Sequence, residues 1–487
     1  MGPPDRCALG RGLPRPRRTG LRHGGQGLCP PSLAALRGAS RRRDPWHGSF
    51  VPCLQTRLAE TPRHARGPVL SGLRPCPVHR RILPAGGRAV HHAGQSDGLR
   101  HRFAVLRHHD GPASVHPHDP RRHRHPDLGG PPQPDVSLAD KLRARIEGTG
   151  PMSVADFMAE CLLDPEHGYY TTRDPFGSAG DFTTAPEISQ MFGELVGLCL
   201  AQGWMDQGSP APFVLAELGP GRGTLMADIL RATRGVPGFH DAARIVLVEA
   251  SPRLRERQQA TLTGYGVTWV DSLEDAPDGP LFLVANEFFD ALPVRQFQRD
   301  ADDWRERQVG LKDGALTFGL GGPTAHAPLD RWTDAQPGDL VELRPAADAV
   351  MAEIDRRIAA QGGAALVIDY GDWHSLGDTL QAVAKHEAAD PLANPGAADL
   401  TAHVDFEALA LAATRLTHSR LTPQGVFLER LGITARAQAL AARLEGEPLT
   451  RHVAAHRRLT HPDEMGTLFK TLAFVPEGAA MLPGLET

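Results

Sequence analysis

Residues Val214-Leu-Ala-Glu-Leu-Gly-Pro-Gly-Arg-Gly-Thr-Leu-Met-Ala-Asp-Ile-Leu230 read as a buried strand, a glycine-rich turn and the start of an amphipathic helix. Gly219, Gly221 and Gly223 let the backbone turn sharply and approach a ligand with no Cβ in the way. A helix opening at Thr224 leaves the N–H groups of its first turn without partners, facing the same place. A second strand, Arg244-Ile-Val-Leu-Val-Glu-Ala250, ends on Glu249 about 30 residues later. In a βαβ unit an acid there accepts hydrogen bonds from the ribose hydroxyls of a bound nucleoside.

An ordinary tight βα turn uses glycines in the same way. The spacing separates the ligands such a turn would hold. A dinucleotide fingerprint is G-x-G-x-x-G, whereas here the third glycine comes one residue early and Thr224 follows it. Glu217, two residues before the first glycine, sets a carboxylate beside the turn. It would repel a pyrophosphate and suits the cationic amino acid end of S-adenosylmethionine, so NAD is disfavoured and a sulfonium cofactor fits.

Composition divides the chain near Asp135. Residues 1–134 hold 23 arginines, no lysine and 7 acids, a formal charge of +16 against −20 for the remainder. They also hold 20 of the 43 prolines and 13 of the 23 histidines. No stretch keeps an apolar period long enough to bury a face, so disorder is expected over 1–135. A basic nucleic-acid arm would mix Lys with Arg, and a mitochondrial transit peptide would be shorter and amphipathic. Out-of-frame translation of GC-rich DNA yields this Arg, Pro, Gly, His and Ala mixture, and on that reading the true start is expected near Val136. Only Cys161 and Cys199 lie in the body, with no C-x-x-C, so no metal site is expected and both read as buried thiols. No signal peptide and no apolar run of membrane length is evident.

The body, 136–487, is long enough for one large α/β domain with an accessory lobe. Leu138 to Met205 reads as helical. Thr184-Ala-Pro-Glu187 has the capping-box pattern, and Ile188, Met191, Phe192, Leu195, Cys199 and Leu200 recur on one face, as core packing does. Short apolar runs at 214–218, 245–248, 281–285 and 365–368 alternate with helices, as in a parallel sheet wound right-handedly. Val294 to Gly321 reads as a hairpin turning at Lys312-Asp-Gly314, and 377–401 as an ordered functional loop or lid.

Six ordered blocks carry a family resemblance: His167-Gly-Tyr-Tyr170, Gly180 through Glu194 (Gly-Asp-Phe-Thr-Thr-Ala-Pro-Glu-Ile-Ser-Gln-Met-Phe-Gly-Glu), Glu217-Leu-Gly-Pro-Gly-Arg-Gly-Thr224, Asn286-Glu-Phe-Phe-Asp-Ala-Leu-Pro293, Ile368-Asp-Tyr-Gly371 and Asp399-Leu-Thr-Ala-His-Val-Asp-Phe406. From about Leu138 to Phe474 the chain resembles the MidA family, which includes the mitochondrial complex I assembly factor with protein arginine methyltransferase activity. The resemblance implies a Rossmann-like class I methyltransferase sheet, S-adenosyl-L-methionine as cofactor, and methylation of a protein arginine, with a respiratory complex I subunit as substrate. It also implies that Asp181 and Thr183-Thr184 form a loop over the cofactor, although they would equally cap a helix.

Methyl transfer from a sulfonium needs alignment and exclusion of water. An arginine acceptor also needs carboxylates to orient its planar guanidinium. Glu287 and Asp290 follow the strand 281–285, where a doubly wound sheet places substrate-handling groups. Glu287 could instead be a helix-start acid and Asp290 a turn former. Asn286 is placed for the cofactor's amino acid moiety. By analogy with class I methyltransferases, Asp271, after the strand Val267 to Val270, is a candidate for the adenine amino group; otherwise it is a plain loop acid. His167, Tyr169 and Tyr170 would close over the ligand or sit in the core, and the residues alone assign no chemistry to His403 and Asp405.

The acidic body fits a basic protein or peptide surface as partner, although a charge of that size also keeps many soluble proteins dispersed; no nucleic acid partner and no membrane span are expected. Rival readings are a non-catalytic assembly chaperone on the same fold, a methyltransferase for a small molecule or RNA, and an NAD-dependent oxidoreductase, the last disfavoured by the glycine spacing and Glu217. Arg exceeds Lys by 49 to 4, which points to a GC-rich bacterial genome and the cytoplasm, with the mitochondrial matrix as alternative.

Overall fold

The computed structural model describes residues 136–173, 183–384 and 386–487. The readings of 1–135, Gly180 and Asp181 lie outside the described residues.

Seven strands form the main path of a nine-stranded central sheet: β1 Phe213–Leu218, β2 Ala243–Val248, β3 Val267–Val270, β4 Leu281–Asn286, β5 Gly363–Asp372, β6 Leu416–His418 and β7 Phe469–Pro476; the two-residue strands Val404–Asp405 and Thr422–Pro423 pair alongside β5 and β7. The order of the seven is β3-β2-β1-β4-β5-β7-β6, all parallel except β7, which runs antiparallel to both neighbours. Every residue of β1 and β4 is buried. Phe213, Leu215, Phe282 and Val284 enter one core, and Val214, Ala216, Leu281 and Leu283 the other. Burial on both faces explains why these strands read as unbroken apolar runs.

Helices α3 (Gln190–Asp206) and α4 (Thr224–Ala232) contribute Met191, Phe192, Val196, Leu225 and Ile229 to the first core. Met351, Ile354 and Ile358 of α6 (Pro345–Gln361) fill the second. Between them, α5 (Pro252–Thr261) follows β2. C-terminal helices Gln424–Arg430, Ile433–Ala441 and Gly446–Thr460 add Phe427, Leu428, Ile433 and Leu459 to the first core.

Three local expectations change. The helix expected to start at Thr184 is broken: Ala185–Ile188 forms one turn, Thr184 makes no side-chain cap bond, and α3 starts afresh with Ser189 as its cap. Glu187 instead accepts the Thr224 hydroxyl at 2.6 Å, so the capping box gives way to a contact with α4. The region read as one hairpin holds three antiparallel strands, Arg295–Asp300, Asp303–Lys312 and Ala315–Thr324, which Met152–Ser153 and Leu340–Leu343 extend to five. Its Asp313-Gly314 turn has both φ positive, at 52° and 78°, as a two-residue type I′ turn needs. The stretch 377–401 carries three short strands, Gln381–Ala384, Glu387–Ala389 and Asp399–Thr401.

Helices α1 (Leu138–Thr149) and α2 (Val154–Leu163) pack with Val294, Val309 and Leu400, joining the N-terminal region to both insertions. Among the described residues no helix is long and apolar enough to cross a membrane. Cys161 and Cys199 are buried, and burial pushes the Cys161 thiol up to about 12.

Candidate cofactor and substrate site

Strand order reverses between β1 and β4, and a doubly wound sheet binds ligands in the crevice beyond the carboxyl ends of such strands. The glycine turn leaves β1 there, with Gly219 at φ 60°, Gly221 at 52° and Gly223 at 80°. A Cβ on Gly219 would stand 2.9 Å from the Phe288 ring, so both backbone conformation and space require glycine.

Glu217 is the penultimate residue of β1 and only 3% exposed. Burial, with the nearby Glu249 charge adding to it, pushes its carboxyl up to about 8. Its Oε2 is buried without a hydrogen-bond partner. Glu249, just past β2, is better supported: its Oε1 accepts Ser251 N at 2.8 Å and its Oε2 accepts Gln258 Nε2 at 3.0 Å. Burial still raises it above the ordinary carboxylate range.

Gln258, fully buried on α5, is the organiser of this half of the site. Its Nε2 also donates to Gly221 O at 2.8 Å, and its Oε1 accepts Trp269 Nε1 at 2.8 Å, so one amide joins glycine turn, acid and β3. Nothing in α5 singles Gln258 out except its position four residues after Leu254, the helix's buried leucine. Asp271 lies at the rim, its side chain 61% exposed and paired with Arg255 at 2.5 Å.

On the β4 side, Asn286 is 8% exposed; its Nδ2 donates to Glu287 Oε1 at 3.1 Å, while its Oδ1 is buried and unpartnered. Glu287 has φ 53°, a left-handed backbone that costs a non-glycine residue about 1–3 kcal/mol and persists only where the surroundings over-determine it. No helix begins at Glu287, which removes the helix-start reading. Its Oε1 accepts Ala185 N at 3.1 Å, tying β4 to the turn before α3. Burial first, then the Asp290 charge, push its carboxyl up to about 7. Asp290 does sit in a turn, but its side chain points inward, 6% exposed, with Oδ1 unpartnered and burial lifting it to about 6.

Aromatic groups and insertions close around these acids. The Tyr170 hydroxyl donates to Asp399 at 2.8 Å, and Tyr170 O accepts the Ser251 hydroxyl at 3.1 Å, which straps the segment Tyr169–Thr172 between α5 and the 377–401 insertion. The Tyr370 hydroxyl accepts Gln381 Nε2 at 3.3 Å, and the ring packs edge-on to His403, ring centroids 5.4 Å apart. Arg344 donates to the carbonyls of Leu292, Ala402 and His403, so His403 takes part chiefly through its backbone. Asp405 caps the helix Phe406–Ala412 and pairs with Arg331, which gives it a structural role.

Sequence reading missed Gln258, Asp369, Tyr370 and Arg344. Asp369 and Tyr370 stood in a quoted block, and the signal that would have found Asp369 is an acid at the carboxyl end of an apolar run, the pattern that marked Asn286 and Glu287.

Three buried oxygens near the carboxyl ends of β1 and β4 thus lack partners: Glu217 Oε2, Asn286 Oδ1 and Asp290 Oδ1. All are acceptors, and buried polar groups are ordinarily satisfied. A donor-rich cation fits them, and the ammonium and ribose hydroxyls of S-adenosylmethionine supply such donors; a pyrophosphate supplies none.

Comparison with known proteins gives the same answer. A family model described as "Putative S-adenosyl-L-methionine-dependent methyltransferase" matches residues 195–424. The protein arginine methyltransferase NDUFAF7 homolog of Drosophila melanogaster is 39% identical over 376 residues, 70% of this chain and 85% of that protein. Its counterpart in Homo sapiens is 37% identical over 374 residues, 70% and 84% of the two chains. A Burkholderia thailandensis protein crystallised with S-adenosyl-homocysteine superposes with a TM-score of 0.62 at 31% identity, covering 73% of this chain and 97% of that one. The central sheet is the class I methyltransferase sheet, and this chain belongs to the family of S-adenosyl-L-methionine-dependent methyltransferases that these proteins represent.

Proposed function

We propose that the protein methylates an arginine side chain of a protein substrate, a respiratory complex I subunit being the one that the resemblance implies, in support of assembly. The observation that carries this reading is the pairing, at the carboxyl end of β4, of the left-handed Glu287 with Asp290, whose Oδ1 is buried without a partner. Two acids so held favour a planar cation with several N–H groups. The relatives' names as protein arginine methyltransferases support the substrate class.

Glu217 and Asn286 would hold the amino acid end of the cofactor, Gly219, Gly221 and Gly223 would give its body room, Glu249 would take the ribose, and Asp271 would border the adenine. When bound, the cofactor supplies an activated methyl group. The chain's own residues do the rest: Glu287 orients the acceptor guanidinium, Asp290 offers a second carboxyl to it, and Phe288 with the Tyr169–Thr172 strap keeps water out. No nucleic acid partner and no metal are part of this reading. The relatives' mitochondrial names support the matrix as compartment, and the arginine excess supports a bacterial cytoplasm.

The test is labelled methyl transfer into lysate from cells lacking the protein. The reading expects a labelled band whose digest yields methylarginine; label confined to RNA or small molecules, or none with the cofactor bound, would overturn it.

A further inference from the structure

The crevice holds a third acid, Asp369 of β5, which is completely buried. Its Oδ2 accepts the backbone N–H groups of Phe289 at 3.0 Å and Asp290 at 3.2 Å, and its Oδ1 accepts that of Tyr370 at 2.9 Å. One residue earlier on the same strand, Ile368 O accepts Glu287 N at 2.9 Å. The turn Glu287–Asp290 is therefore fastened to β5 twice, by a main-chain bond at its start and by one carboxyl group at its end. The strained residue is the first of that fastened turn.

Strain of this kind survives only where neighbours leave no alternative. Unfastened, the Phe289 and Asp290 amides would be buried donors without partners, and the turn would relax toward conformations that satisfy them. A buried carboxyl is an expensive way to hold a turn, since serine or asparagine presents acceptors at lower desolvation cost. What it adds is capacity: two oxygens receive three N–H groups and fix β4's turn and β5's own backbone together.

We propose that Asp369 is a positioning residue of the methyl-transfer site: by accepting the Phe289 and Asp290 amides it holds the Glu287–Asp290 turn in the geometry that presents both acids to the acceptor side chain. This rests on the arginine-methyltransferase reading above, and its role is that of an acceptor, carried out without touching substrate or cofactor.

Three variants of the full chain separate the possibilities. Asp369→Asn keeps one oxygen with two lone pairs and so both turn bonds, while its amide nitrogen replaces the oxygen that accepts Tyr370 N. Asp369→Ala removes every acceptor, and Asp369→Val does the same while filling the space. Asparagine should retain transfer to within about threefold. Alanine and valine should lower kcat at least about thirtyfold, with S-adenosylmethionine affinity by calorimetry within about twofold of wild type.

Amide hydrogen exchange on the protein without cofactor gives a second readout independent of turnover: the Phe289 and Asp290 amides should exchange at least about tenfold faster in the alanine and valine variants and near the wild-type rate in the asparagine variant. Equal exchange in all four proteins overturns the proposal whatever the activity. An asparagine variant as slow in transfer as alanine overturns it too, because acceptance of the two turn amides would then not be what the site needs. Wild-type protein that binds the cofactor but methylates no arginine refutes the functional reading instead, and the exchange rates still decide the role of Asp369.

Discussion

Replacing Glu217 with glutamine should make the protein more stable and a poorer cofactor binder, and the two effects follow from one number. Burial lifts the Glu217 carboxyl from its ordinary 4.5 to about 8. Each pH unit by which a pKa rises is worth about 1.4 kcal/mol, so ionising this group in the folded protein costs about 5 kcal/mol. Between pH 4.5 and about 8 the folded state keeps a proton that the unfolded chain has lost. Folding therefore loses stability as pH rises through that window and levels off above it.

Glu217→Gln carries no such loss, so the two proteins should match near pH 5 and diverge by about 2–5 kcal/mol at pH 8.5, the lower figure allowing for water penetration. Thermal melting across this range would read several degrees in favour of the variant. A bound cofactor ammonium offsets the desolvation, so wild type should release close to one proton per cofactor at pH 7, read by calorimetry in two buffers of different ionisation enthalpy. The variant should release almost none and bind at least about tenfold more weakly. Equal affinity for both proteins, with no proton release from wild type, would refute the placement of Glu217 against the cofactor's cation.

Gly221→Val puts a β-branched side chain at φ 52°, so cofactor binding should vanish while the melting temperature falls by only a few degrees; unchanged affinity by calorimetry would remove the glycine turn from the site. A chain beginning at Val136 should melt and bind S-adenosylmethionine as the full chain does, whereas a drop of several degrees would show that residues 1–135 pack on the body.

Much of this site was readable from local pattern because its parts lie at strand ends. An apolar run closing on Glu217-Leu-Gly, on Glu249 or on Asn286-Glu287 announces both a buried strand and what stands at its carboxyl end. Residues whose role depends on distant partners were not readable. Asp369 receives the amides of residues 79 and 80 positions away, and Tyr170 reaches Asp399 across 229 positions. Gln258 looks like any polar residue of a hydrophilic helix until β3 and the glycine turn close over it. Strands β6 and β7 escaped for a topological reason: β7, last in the chain, inserts antiparallel between β5 and β6, so no strand–helix alternation marks it. The split at Ser189 escaped because Thr184 mimics a cap whose hydrogen-bonding partner Glu187 is taken by Thr224.

The central claim is that Glu287 presents an arginine to the methyl donor, and the most direct measurement is labelled transfer to one arginine peptide by wild type and by Glu287→Gln, with cofactor affinity measured on both. Glutamine keeps the shape and one acceptor but not the charge. Wild type should transfer, and the variant should bind S-adenosylmethionine as tightly while transferring at least about tenfold more slowly. Full activity in the variant, or loss of cofactor binding together with activity, would contradict the account.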